Sequence, residues 1–368
     1  MNLTVSLKSP LTAKYGSDGF SKIDDALANY AREAGNESVL VYLDDPASMS
    51  RVWTKPVIAT NAGGLAVGIR QIRQAIGMKP GEDSIFIIGG ETIVPHWQFL
   101  NPVQDRTADR DPYVYTDNPY GTVKDELEDY LAPEMAVGRL TDAANGTGDD
   151  FANMINAVTN NHRMRVQRSG SAVVYNAQWQ TDTENVAAQL ESPLDEHSTP
   201  GYEVTSANRS DLNRKYLYFN LHGFADDSAW SGFNPVNGQF FPAVTPDSFD
   251  AAEISGTVVY AENCYGAWTV GKNSGNSCAL KLLAQGAAGM VGATGLAFGS
   301  YISPGMLLQN ADELAKEFFG RSVFGEATGK ALVDARTTYL HEGAVPSDNV
   351  FKQKTLLQFT LLGDPTLA

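Results

Sequence analysis

A set of short, almost continuous apolar runs constrains this chain more than any other feature. They are SVLVYL (38–43), SIFIIGG (84–90), EMAVGRL (134–140), SAVVYN (171–176), YLYFNL (216–221), TVVYAENC (257–264) and AAGMVGAT (287–294). Strands that are apolar at every position, not at alternate ones, are covered on both faces, which is the signature of a parallel sheet. Helical periodicity fills the gaps. Ser21 with Asp24 reads as a capping pair before Ile23, Leu27 and Tyr30, with Gly35 as the stop, and Leu65, Ile69, Ile72 and Ile76 share one face. Later helices are expected in TENVAAQL, SCALKLLAQG, MLLQNADELAKEFFG and GEATGKALVDARTTYL. Repeated strand–helix units predict an α/β protein of three layers, helices on both faces of mostly parallel sheets. The segment DDFANMINAVTNNHRMRV reads as a helix joining two side-by-side halves. The boundary is placed near Arg165, giving a smaller N-terminal unit (1–165) and a larger second one (166–368).

Composition removes several function classes. A chain of 368 residues with 43% apolar and 19% charged content is an ordinary globular protein. Its net charge of −16, with no basic stripe, excludes a binder of nucleic-acid backbones. Two cysteines, Cys264 and Cys278, exclude a disulfide framework and a thiolate zinc site. The first residues lack the pattern of a signal peptide, and no apolar run has the length of a membrane span, so a soluble chain is expected. A domain or mature form excised from a longer, exported protein would read the same way.

Ligands of parallel sheets gather beyond the carboxyl ends of the strands. Two runs end there on reactive residues: YLYFNL leads into His222-Gly223, and TVVYAENC delivers Cys264 just before Gly266. If the two strands are neighbours, imidazole and thiol share one rim, the arrangement used for nucleophilic catalysis. The adjacent glycines admit a substrate backbone and leave N–H groups for a developing oxyanion. Alone, each residue has a plainer reading, a small core thiol or a satisfied imidazole; their joint appearance favours catalysis. Cys278 opens an apolar helix and reads as a packing thiol. His96 reads as packing, His162 as a solvated helix end, His197 as a loop residue and His341 as the close of a helix. None has metal-ligand spacing.

With these residues in view, the chain resembles the gingipain family (C25) of cysteine peptidases in the caspase-like clan CD. The resemblance rests on HGFADDSAW after an apolar strand, Cys264 after the next, EMAVGRL with its Gly-Arg pair, AAGMVGATG, and the terminal TLLGDPTL. It is loose before Asp111 and good from Tyr115 to Leu367. It implies a caspase-like fold and a thiol-dependent endopeptidase acting on proteins or peptides, with no cofactor needed for the chemistry. Cys264 would be the nucleophile and His222 its proton-handling partner, with the N–H groups of Gly223 and Cys264 as oxyanion hole. Arginine-specific relatives place a glutamate beside the histidine. Here YNAQWQTD offers Asn176 or Gln178 instead. Their P1-binding aspartate corresponds to Asp182, so cleavage after Arg or Lys is expected, with Trp230, Phe298 and Tyr301 as apolar walls. The plain reading of Asp182 is a helix cap or first-turn residue.

The family is secreted or cell-surface, often carries flanking or pro-domains, and often needs proteolytic maturation or calcium. The acidic loop DRTADRDPYVYTDNPYG has oxygen ligands for calcium but no EF-hand spacing, so a solvated turn is expected there. The reading from a different class is a caspase-like scaffold without activity, serving as a binding or regulatory domain.

Overall fold

The computed structural model describes residues 1–33, 38–164, 168–250, 252–300, 309–343 and 345–368. The boundary expected near Arg165 lies outside the described residues. Among the described residues fourteen strands are formed: β1 (Asn2–Ser6), β2 (Ser38–Tyr42), β3 (Ser84–Ile88), β4 (Trp97–Leu100), β5 (Tyr113–Thr116), β6 (Ala136–Leu140) and β7 (Ser171–Asn176), followed by β8 (Leu194–Thr199), β9 (Tyr216–Asn220), β10 (Trp230–Asn234), β11 (Gln239–Val244), β12 (Val258–Ala261), β13 (Gly289–Ala293) and β14 (Phe359–Gly363). Ten of them make one sheet in the order β2-β1-β3-β6-β14-β13-β12-β9-β7-β8. Each of the runs singled out in the sequence supplies one of these strands.

Alternation along each strand explains why the runs are apolar throughout. In β7, β9 and β12, Val174, Leu217, Phe219, Val259 and Ala261 point into one core, while Val173, Tyr175, Tyr216, Tyr218, Val258 and Tyr260 point into the other. The first core is closed by helices Lys8–Glu33, Ala62–Ile76, Gly148–Met164 and Cys278–Ala284. The second is closed by Asn310–Ser322, Thr328–Glu342 and Val350–Gln358. The result is the expected three-layer α/β/α arrangement. The first helix starts well before the Ser21–Asp24 pair, at Lys8, and is broken at Gly16 (φ 70°), not at Ser21.

The strands from the first half, β2, β1, β3 and β6, run parallel to one another. Those from the second half, β13, β12, β9, β7 and β8, do likewise. The two sets meet through β14, parallel to β6 and antiparallel to β13, so a single sheet changes direction once. The seam explains two sequence features. A Cβ on Gly138 would lie 2.4 Å from the Gly363 carbonyl oxygen, so only glycine permits that approach. Arg139 beside it is wholly buried and forms a two-pronged pair with Asp117 (Nε–Oδ2 2.7 Å, Nη2–Oδ1 2.6 Å).

Asp364, of the terminal Gly-Asp-Pro, is also buried. It takes hydrogen bonds from Tyr30 Oη (2.7 Å) and the Thr366 amide (2.8 Å), with His162 Nε2 at 2.8 Å. His162 is therefore not a solvated helix end; it anchors the C-terminal turn. His197 is not in a loop but on the polar edge strand β8, stacked on Tyr202.

Candidate active site

Strands β7, β9, β12 and β13 are adjacent and parallel, so their carboxyl ends deliver loops to one rim. After β9 the backbone of His222 bridges to Ser231 at the start of the β10–β11 hairpin, in both directions (2.9 and 2.8 Å). The loop 223–229 thus returns on itself and holds His222 at the rim. Around the imidazole stand Trp179 (ring centroids 4.6 Å), Phe240 (4.8 Å) and Phe233 (5.9 Å). Burial among these rings pushes the His222 pKa down to about 4, so the ring is neutral at physiological pH. Gln178 Nε2 lies 3.2 Å from His222 Nε2. An amide N–H can only donate, so Nε2 accepts and the ring proton sits on Nδ1.

Cys264 follows β12 across a short turn. Its neighbour Tyr265 has φ 55°, a left-handed conformation that turns the chain sharply under the sulfur. Sγ accepts a hydrogen bond from the Ala297 amide (3.3 Å) and donates to the Ala297 carbonyl (3.5 Å). Burial raises the thiol pKa, offset in part by the Ala297 N–H and by Lys354. The resting pair is thus a thiol beside a neutral imidazole. The two loops touch: a Cβ on Gly223 would sit 1.9 Å from the Cys264 carbonyl oxygen. Neither the Gly223 nor the Cys264 amide has an acceptor on another residue among the described residues.

His222 and Cys264 line one cavity of about 350 Å³, together with Asp182 and Phe298. Two further carboxylates, Glu262 and Asp312, also face it. Asp182, Glu262 and Asp312 are all buried (5%, 7% and 2% exposed), so the cavity ends in a strongly acidic floor. Glu262 accepts a hydrogen bond from Tyr218 Oη (2.6 Å), and Asp312 accepts one from the Ser300 amide. Glu262 and Asp312 are both raised above the ordinary carboxylate range, first by burial. For Glu262 the charges of Asp312 and Asp182 add to the rise. Two buried acids lining one cavity do not both ionise cheaply.

Of the residues expected at the site, His222, Cys264, Gly223, Asp182 and Phe298 come together. Asp182 is in the first turn of helix Gln180–Ala187 and at the same time lines the cavity, so its two readings are compatible. Trp230 does not line it. It is buried on the far side of β9 against Phe219 (4.9 Å) and Phe249 (6.3 Å), because the hairpin places it facing the core. Tyr301 lies outside the described residues. Cys278 is the buried packing thiol expected.

The acidic loop is not a solvated turn. Asp109 and Asp117 are buried; Asp109 and Asp111 are paired with Lys354, and Asp117 with Arg139. Among the described residues no group of three or more His, Cys, Asp or Glu is placed to hold a metal ion. Sequence reasoning does not reach Glu262 and Asp312. The one signal for Glu262 is a glutamate at the end of a wholly apolar strand, and Asp312 looks like an ordinary first-turn acid.

A family model described as Peptidase family C25 matches residues 57–368. The chain belongs to peptidase family C25. It is therefore a caspase-like peptidase, and its substrates are proteins or peptides. A solved protein described as "Structure of Protease" aligns over 100% of this chain and 77% of its own, at 12% identity and a TM-score of 0.61, which is a likeness of fold. Two structures of the Saccharomyces cerevisiae separase–securin complex align over 82% and 83% of this chain and 17% of theirs. Their identities are 10% and 9%, and their TM-scores 0.41 and 0.44. No curated protein matches. Among the described residues no helix is long and apolar enough to cross a membrane.

Proposed function

We propose that this C25 peptidase is a cysteine endopeptidase in which Cys264 and His222 form the catalytic dyad and the P1 residue is Arg or Lys. The observation that carries the specificity is the floor of Asp182, Glu262 and Asp312 in the cavity that both dyad residues line. A guanidinium or ammonium entering it meets carboxylates already stripped of water, where charge-assisted bonds are strongest. Burial biases Glu262 and Asp312 towards their neutral forms in the empty pocket, and an arriving cation favours the ionised forms that pair with it.

In the reaction, Cys264 Sγ attacks the scissile carbonyl while its proton passes to His222 Nε2, which turns from the Gln178 amide to take it. The carbonyl oxygen, now an oxyanion, is held by the Gly223 and Cys264 N–H groups. The imidazolium gives its proton to the leaving amine as the C–N bond breaks, and water then hydrolyses the thioester. Gln178 stands where an acidic helper stands in arginine-specific relatives. At rest it donates to Nε2 and does not raise the ring's pKa.

The test is a panel of internally quenched peptides differing only at P1, assayed with the parent and Cys264→Ala. Cleavage after Arg or Lys that vanishes in Cys264→Ala is expected. Cleavage after Asp alone removes the specificity, and no cleavage at all leaves the inactive scaffold.

A further inference from the structure

The acidic loop that ends at β5 reaches the nucleophile through Asp111. Its Oδ1 accepts from Tyr265 Oη (2.5 Å), on the residue that follows Cys264. Its Oδ2 accepts from the Leu296 amide (2.7 Å), on the residue before Ala297, whose own N–H points at Sγ. One carboxylate thus ties together the two loops that hold the sulfur and its hydrogen-bond donor. Three features keep that carboxylate in place. Lys354, buried in helix Val350–Gln358, pairs with Asp111 Oδ2 at 3.2 Å and with Asp109. Asp109 Oδ1 takes the Asp111 amide (2.9 Å), and Asn101 Nδ2 donates to Asp109 Oδ2 (2.8 Å) and to the Asp111 carbonyl (2.9 Å). Gly295 leaves the space: a Cβ there would lie 2.6 Å from Asp111 Oδ2.

We propose that Asp111, clamped by Lys354, is a positioning residue for the nucleophile, fixing Cys264 through Tyr265 and the Ala297 N–H through Leu296. The proposal deepens the dyad reading given above and rests on it for its kinetic arm. The left-handed Tyr265 is a conformation the chain does not choose unaided, and the Asp111–Tyr265 bond holds it. Displacing a reacting group by about 1 Å costs on the order of a hundredfold in rate, so a clamp on both sides of the sulfur is worth one to two decades of kcat.

Charge alone predicts something different. Asp111 raises the Cys264 pKa through its charge, so neutralising it would make the thiol more acidic. If Asp111 acted only electrostatically, Asp111→Asn would react as fast as the parent or faster.

The experiment compares the parent with Asp111→Asn, Gly295→Ala, which pushes the carboxylate away without changing charge, and the milder Tyr265→Phe. Two readouts are taken: kcat and KM on a P1-Arg peptide, and hydrogen exchange of segments 262–268 and 294–299. Expected are a kcat lower by roughly 10- to 100-fold in the first two variants with KM within about threefold, and a smaller fall in Tyr265→Phe. Faster exchange is expected in both segments but not across the rest of the sheet. Unchanged kcat, or unchanged exchange in these segments, overturns the clamp. If no form, parent included, cleaves any peptide, the dyad reading fails, and the exchange data still decide whether Asp111 holds the two loops.

Discussion

Replacing Glu262 by glutamine separates what the acidic floor does for substrate from what it costs the fold. A cation about 4 Å from a carboxylate in a partly buried site, at an effective dielectric of about 20, gains about 4 kcal/mol. Removing one partner of such a desolvated pair costs about 2–5 kcal/mol. Asp182 and Asp312 remain, so the lower part of that range applies. About 2–3 kcal/mol corresponds to a roughly 30- to 150-fold loss of kcat/KM for P1-Arg and P1-Lys peptides.

The stability effect has the opposite sign. In the fold Glu262 keeps its proton at pH values where the unfolded chain has released it, because burial and Asp312 hold its pKa up. A carboxyl group raised in this way favours the folded state below its unfolded pKa, and that contribution is lost as pH rises towards the folded pKa. The substituted side chain carries no charge at any pH, and its amide oxygen still accepts from the Tyr218 hydroxyl. The variant Glu262→Gln should therefore be more stable than the parent, with a Tm advantage that grows from pH 5 to pH 8. The assay is kcat/KM on P1-Arg, P1-Lys and uncharged P1 peptides, with thermal melts at the two pH values. Equal losses on charged and uncharged substrates, or a Tm below the parent at pH 8, would refute the reasoning.

His222, with its pKa near 4, places the acid limb of kcat/KM below pH 5, whereas a limb near 6.5 would mean an unburied ring. The same depression makes the unfolded chain bind the proton first, so stability falls as pH drops from about 6.5 to 4, and His222→Asn should flatten that slope in denaturant titrations. Gly223→Ala drives a methyl into the Cys264 carbonyl oxygen; turnover should fall at least a hundredfold, while the near-ultraviolet circular dichroism of the remaining sheet persists. Arg139→Leu strips the buried Asp117 of its two-pronged partner at the β6–β14 seam, so about 3–5 kcal/mol of stability should be lost in urea titration.

Much of this was legible in the sequence for a physical reason. Strands buried on both faces favour apolar residues throughout, so β3, β6, β7, β9, β12 and β13 stood out, as did the apolar but half-buried edge strand β2. The strands that did not stand out obey other rules. β8 (LDEHST) is a polar edge strand with one neighbour, and β14 (FTLLG) follows helix Val350–Gln358 without a turn residue to mark the change. The proposed dyad was visible because each member follows an apolar strand within two residues of a glycine. The acidic floor was not, because Glu262 and Asp312 lie on separate elements and become one feature only when the helix Asn310–Ser322 packs against the rim. Trp230 was misplaced because loop position says nothing about which face of a hairpin a side chain takes. The acidity on either side of β5 is internal to the fold, because Lys354 and Arg139, distant in sequence, are buried against Asp109 and Asp117.

The central claim is that one sulfur, reached through an acid-floored cavity, does the chemistry. Treat the protein with a peptidyl acyloxymethyl ketone bearing Arg at P1, digest it, and locate the adduct by mass spectrometry. The account predicts a single thioether on Cys264, none on Cys278, and at least tenfold slower labelling by the same reagent with Asp at P1. An adduct on Cys278, or equal labelling by the two reagents, would contradict it.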